Sequence, residues 1–140
     1  MKIFAISALA LTVATGPALA EAHMEDYANL IRSRDITGGE IYTSNEAHDE
    51  GSWGSMEYDA VGADWNDIGE IEDIVLDKSG QMIGVVAEVG GFLDIGDKHV
   101  VLRMEDVKLV AVDDRSYAIF TRLNEEDLEA LPEVDEAVWD

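Results

Sequence analysis

Ile68-Gly69-Glu70-Ile71-Glu72-Asp73-Ile74-Val75-Leu76-Asp77-Lys78-Ser79-Gly80-Gln81-Met82-Ile83-Gly84-Val85-Val86-Ala87-Glu88-Val89 contains two apolar, β-branched runs, Ile68–Asp77 and Met82–Val89, joined by Lys78-Ser79-Gly80-Gln81. Branched side chains suit a pleated, half-buried surface. Asp77 can bond nearby backbone amides, and Gly80 tolerates positive φ, so the junction is a turn and the whole a β-hairpin. Gly90-Gly91 then permits a sharp bend or bulge, and Phe92-Leu93-Asp94-Ile95 runs on to a second turn at Gly96-Asp97-Lys98. His99–Met104 follows as a strand with Val100, Leu102 and Met104 on one face. Val107–Val112 and Tyr117–Leu123 flank the turn Asp113-Asp114-Arg115-Ser116 as two more. The side chains expected to point inward are Ile74, Leu76, Val85, Ala87, Val89, Val100, Leu102 and Ile119.

Outward from this centre the signals weaken. Leu30–Ser33 and Glu40–Thr43 read as short strands separated by the turn-rich Asp35-Ile36-Thr37-Gly38-Gly39. Ser44 to Asp64 is rich in Gly, Ser, Asp and Glu with little periodicity, which predicts a long acidic loop. At the other end Asn124 is placed to cap a helix whose first turn is Glu125-Glu126-Asp127, acids that suit a helix N-terminus. Leu128 and Leu131 would face the body, and Pro132 marks the stop. Short strands at close spacing with Gly-rich turns favour a small barrel or rolled sheet over an open α/β sheet.

The stretch Gly69–Val86, continued by Gly90-Gly91-Phe92-Leu93-Asp94-Ile95-Gly96-Asp97-Lys98, resembles a PRC-barrel domain, a family that includes the H subunit of photosynthetic reaction centres. The resemblance implies a mostly β fold: a small antiparallel PRC-type β-barrel of about six short strands with a short C-terminal helix. It covers roughly Leu30 to Pro132, and Leu123–Pro132 resembles the helical tail common in exported members. Where members often carry a proline after the strand that follows the glycine turn, this chain has Arg103-Met104. The expected organisation is a signal peptide (1–20), a flexible segment (21–29), the PRC-barrel domain (30–132, with the acidic loop 44–64) and an acidic tail (133–140). Unlike the reaction-centre subunit, the chain is expected to lack a membrane-spanning helix after processing.

The leader has its own logic. Met1-Lys2 is a short positive start, and Ile3 to Ala14 is apolar apart from Ser7 and Thr12. Gly16-Pro17 breaks any helix, and Ala18-Leu19-Ala20 puts small residues where a signal peptidase reads. That order predicts export, with cleavage after Ala20, to the periplasm or the extracellular space. No cysteine exists in the 140 residues, so lipid attachment, disulfides, Cys-ligated zinc and thiol catalysis are excluded. Nine Lys+Arg stand against 31 Asp+Glu, for a formal charge of −22. Such a surface repels polyanions, which excludes nucleic acid and disfavours anionic lipid as partners. Two accounts of this charge stand open: adaptation to a salty exterior, where carboxylates bind water and cations, or an acidic face that steers a basic protein partner.

Chemistry-bearing patterns are few. There is no P-loop, no Gly-x-Gly-x-x-Gly after a strand and no Gly-x-Ser-x-Gly elbow, so no enzymatic activity is expected. No cofactor is implied either. His23, His48 and His99 are far apart, with no His-x-x-x-His pair, so no metal ligands are assigned from spacing. Glu46, His48, Asp49 and Glu50, with Asp59, Asp64 and Asp67, form an acidic loop to which weak calcium binding is the most that can be ascribed. Trp53, Met56, Tyr58 and Trp65 are the candidate partner-binding residues, because aromatics in a loop are often anchors; the competing role is to fold back as a stopper for the barrel. The expected function is that of an exported, non-enzymatic protein-binding or scaffolding module of the cell envelope. A cation- or small-molecule-binding envelope protein is the alternative.

Overall fold

A computed structural model describes residues 27–90 and 97–139. The predicted leader, most of the segment 21–29 and the bend residues 91–96 lie outside the described residues. The chain divides into two compact units, Met1–Leu30 and Ile31–Asp140. In the first, Leu30 N–H donates to the Tyr27 carbonyl at 3.1 Å and closes a turn.

The second unit is built on six strands: β1 (Glu40–Thr43), β2 (Asn66–Leu76), β3 (Met82–Val89), β4 (Lys98–Arg103), β5 (Val107–Ala111) and β6 (Tyr117–Thr121). Their order in the sheet is β4-β3-β2-β1-β6-β5. The central hairpin forms as its sequence predicts, with Gly80 at φ +91° and Asp77 Oδ1 accepting from the backbone N–H groups of Ser79 (2.8 Å) and Gln81 (3.1 Å). All neighbouring strands are antiparallel except β1 and β6, which run parallel. The sheet is therefore mixed, and it is not closed: two corrections to the antiparallel barrel. The reason lies between β4 and β5. A 3-10 turn, Met104–Asp106, replaces a hairpin there and sends β5 to pair with β6, so β4 and β5 end the hydrogen-bonded order.

The sheet is nevertheless rolled about one core. Ile41 (β1), Ile68 and Ile71 (β2), Val85, Ala87 and Val89 (β3), Val100 and Leu102 (β4), Val107 (β5) and Ile119 (β6) meet in a single buried cluster. Gly69 allows β2 to bend over β3, since a Cβ there would run into the Glu88 carbonyl. The inward set is as expected except Leu76, which is 56 % exposed: the register shift between Val75 and Leu76 at the hairpin end turns it outward.

Among the described residues the sheet is decorated by the short helices α1 (Ser33–Ile36), α2 (Glu50–Trp53) and α3 (Glu125–Ala130). Helix α1 overlaps the end of the strand expected at Leu30–Ser33. Arg32 donates from its backbone N–H and its guanidinium to the Asp35 carboxylate, and its carbonyl accepts from Asp35 N–H, local contacts that extended backbone cannot make. Helix α2 interrupts the expected loop, capped by Asp49, whose Oδ1 accepts from Ser52 N–H at 2.8 Å. Helix α3 starts where predicted: Asn124 Oδ1 accepts from Asp127 N–H at 2.8 Å, and Leu128 is fully buried. Among the described residues no helix is long and apolar enough to cross a membrane.

Candidate functional site

The four residues singled out as candidate anchors come together on the outer face of β1, β6 and β5. Trp53 at the end of α2 is 3 % exposed and packs on Phe120 of β6. Trp65, just before β2, stacks on the other side of this group, its ring 3.8 Å from that of Phe120 at an interplanar angle of 7°. Tyr58 stands edge-on to both, at 4.7 Å from Phe120 and 5.2 Å from Trp65, and its hydroxyl reaches Met56 Sδ at 3.3 Å. Lys108 of β5 lies 4.9 Å above the Trp53 ring and donates its ammonium to the Met56 carbonyl. Met56, Tyr58 and Trp65 remain half-buried. The segment 44–65 thus forms a lid of aromatic side chains over the outside of the sheet.

Polar contacts fasten this lid at its edges. Arg122 donates from Nε to Asp106 Oδ1 at 2.6 Å and from Nη1 to the His48 carbonyl at 3.1 Å. The Asp106 side chain is 9 % exposed, so its charge needs that partner. Asn45, in the left-handed region at φ 61°, accepts from Glu125 N–H through Oδ1 at 3.1 Å and ties the lid to α3. Of the acidic loop residues, His48 stacks on Trp53, Asp49 caps α2 and Glu50 faces Arg122 at 3.4 Å. The acids of that loop are spread over separate structural tasks, and among the described residues they do not converge on a common point.

A second constellation, which sequence spacing does not signal, occupies the outer face of β2, β3 and β4. Glu88 and His99 are direct cross-strand partners in the β3–β4 ladder. Glu72 is the extra residue of a β2 bulge between Ile71 and Asp73, and such a bulge re-aims its side chain. His99 Nε2 lies 3.0 Å from Glu72 Oε2 and 3.7 Å from Glu88 Oε2. The C-terminal segment crosses here. Val134 N–H donates to the His99 carbonyl at 2.8 Å, and a 3-10 turn, Glu136–Trp139, delivers Glu136. Donor atoms of Glu72, His99 and Glu136 all lie within 4.8 Å of one another, the group among the described residues with a metal-ligand arrangement.

The electrostatics follow from three carboxylates around one imidazole. Contact with Glu72 holds the His99 imidazole above its ordinary pKa against the effect of burial, and the charges of Glu72, Glu136 and Glu88 add to this. Contact with His99 pulls the Glu72 carboxyl down, but burial and the neighbouring Glu88 and Glu136 carboxyls together leave it raised. His99 Nε2 itself is covered, and its contact with the Glu72 oxygen is not a hydrogen bond of regular geometry. A third acidic feature is a cleft lined by Glu40, Asp67, Glu70, Glu88 and Asp97 at the β1–β2–β3 end. Glu40 accepts from the Tyr42 hydroxyl there and pushes that phenol up to about 12.

Residues 57–122 match the family model of the PRC-barrel domain. No curated protein matches the chain. The matched stretch contains β2 through β6, with Tyr58, Trp65, Glu72, Glu88 and His99; Trp53, Met56 and Glu136 lie outside it.

Proposed function

We propose that this chain, which carries a PRC-barrel domain over residues 57–122, is an exported, non-enzymatic protein-binding or scaffolding module of the cell envelope. The observation that carries the proposal is the outer edge of β5. Val112 N–H donates to Ser116 O, and Arg122 N–H donates to Asp106 O, which fixes the phase of the β5–β6 ladder. Antiparallel pairs alternate, so Val110 and Lys108 bond to β6 while Leu109 and Ala111 turn their backbone groups the other way. Among the described residues no backbone group meets them there. On the outer edge of β4 the His99 carbonyl is taken by Val134 N–H. An unpaired edge accepts an extended segment of another protein as an added strand, with backbone hydrogen bonds supplying affinity.

The rest of the surface suits that role. Met56, whose carbonyl takes Lys108, lies alongside β5, so the aromatic lid extends the docking face with its half-exposed Met56, Tyr58 and Trp65. A formal charge of −22 favours a partner with basic side chains and speeds its approach. Residues 1–20 carry the export address, by which the chain would meet its partner in the periplasm or outside the cell.

The test compares the wild-type chain with Ala111→Pro, which blocks the free edge and leaves the β6 ladder intact. Both are used as bait against envelope extract, and the N-terminus of the cellular protein is sequenced. A stoichiometric protein retained by wild type and lost by Ala111→Pro, with Glu21 as first residue, supports the reading. Equal retention by both baits, or an unprocessed N-terminus, overturns the docking mode or the location respectively.

A further inference from the structure

We propose that Glu72, His99 and Glu136, with Glu88 beside them, form a binding site for a divalent transition-metal ion of the zinc class, which clamps the C-terminal segment onto β2–β4. The inference is independent of the protein-docking reading, and it uses a different face of the sheet.

The geometry around Nε2 comes first. A covered ring nitrogen with a carboxylate oxygen 3.0 Å away would normally donate to it. Here Nε2 is covered and has no hydrogen bond of regular geometry, although the Glu72 oxygen is in contact with it. Ligands of a common tetrahedral ion show this relation: metal–ligand distances of about 2.0–2.1 Å put neighbouring ligand atoms about 3.3 Å apart, each off the other's lone-pair axis. Separations of 3.0 and 3.7 Å from Nε2 to Glu72 and Glu88 bracket that value. Glu136 closes the group, with all three principal donor atoms inside 4.8 Å.

Charge and ligand chemistry point the same way. Among the described residues His99 is the group able to carry positive charge that touches these carboxylates, while the Lys98 ammonium is directed away to the Glu129 carbonyl at 2.7 Å. A divalent cation removes the repulsion that protein groups leave uncompensated. One imidazole with carboxylates suits zinc-like ions, whereas calcium takes six to eight oxygens and no nitrogen. The scaffold also fixes the ligands. Glu72 is aimed by a bulge, Glu88 and His99 are set in ladder register, and the Val134–His99 bond sets the position from which the 3-10 turn presents Glu136.

The test is calorimetric titration of the purified protein with Zn²⁺ alone. It is run on wild type, His99→Gln, Glu136→Gln and, in the acidic loop, Asp64→Asn. One ion per chain is expected, with affinity lowered about tenfold or more by His99→Gln, lowered less by Glu136→Gln and unchanged by Asp64→Asn. Calcium at millimolar concentration should not displace the ion. A second reading needs no variant: Zn²⁺ should shift the His99 ring resonances in NMR spectra while those of His48 stay put. Absence of one-to-one binding, equal affinity in His99→Gln, displacement by calcium or unmoved His99 resonances each overturns the proposal.

Discussion

The rolled sheet has two covered outer faces, and they are covered by opposite means. Over β1, β6 and β5 the lid buries Trp53 against Phe120 and Tyr58 and stacks Trp65 on Phe120, and at its edge the buried Asp106 of the 3-10 turn is paired with Arg122. Over β2, β3 and β4 the tail is held by a backbone bond from Val134 and by a meeting of Glu72, Glu88, His99 and Glu136 in which like charges outnumber their partner. The first surface is complete with the groups it has. On the second, one imidazole faces three carboxylates. Stability is expected to reside in the lid and ligand responsiveness in the tail.

The largest effect that could break this contrast is on the lid. Replacing Trp53 by Ala removes a ring that is 3 % exposed and touches both Tyr58 and Phe120. Large aromatic truncations in packed sites cost about 3–5 kcal/mol. Urea unfolding of Trp53→Ala should show a loss in that range. A loss under about 1 kcal/mol would mean that the lid is an adjustable surface in which Trp53 too is free to serve as an anchor.

A smaller effect of opposite sign is expected from the tail. In chelator-containing buffer at pH 9, low in salt and well above the ordinary histidine value of 6.5, Glu136→Gln deletes one of the like charges. It should raise stability by about 0.3 kcal/mol, with the gain disappearing in molar salt as screening removes the repulsion. A clear destabilisation would show the Glu136 carboxylate to be a satisfied structural acceptor. The tail would then resemble the Arg122–Asp106 contact more than a ligand site.

Legibility differed along the same division. The hairpin Asn66–Val89 was readable because each local signal agreed: branched side chains, an Asp–Gly turn and apolar flanks. Helix α3 was readable through Asn124 and its acidic first turn. The strand order was not, because a 3-10 turn of three residues decides that β5 joins β6, and Met104-Glu105-Asp106 has no distinctive composition. Helix α2 gives no sequence signal, because four residues are too few for a periodicity. The aromatic cluster was half legible: Trp53, Met56, Tyr58 and Trp65 stood out in a polar segment, but nothing local named Phe120 as their common partner. The His99 group was invisible for a physical reason. Glu72 and His99 meet by ladder register and a bulge, and Glu136 arrives from a segment that the strand pattern does not place.

Asp77 offers the finest test of whether local turn chemistry, rather than either cover, sets part of the stability. Its carboxylate accepts from the Ser79 hydroxyl at 2.5 Å and from the backbone of Ser79 and Gln81, and these bonds hold it below the ordinary value of 3.8. A carboxyl depressed in the folded state stabilises that state fully at pH values above its unfolded value. The contribution fades as pH falls below 3.8 through the lower folded value, because the unfolded chain takes up the proton first. Asp77→Ala should therefore be less stable than wild type at pH 7, and the difference should shrink steadily on acidification below pH 4. The turn is solvent-exposed, so the gap at neutral pH will be far smaller than that of Trp53→Ala. A gap that stays constant across that window would assign the role of Asp77 to backbone conformational preference, leaving its charge with no part in holding the hairpin.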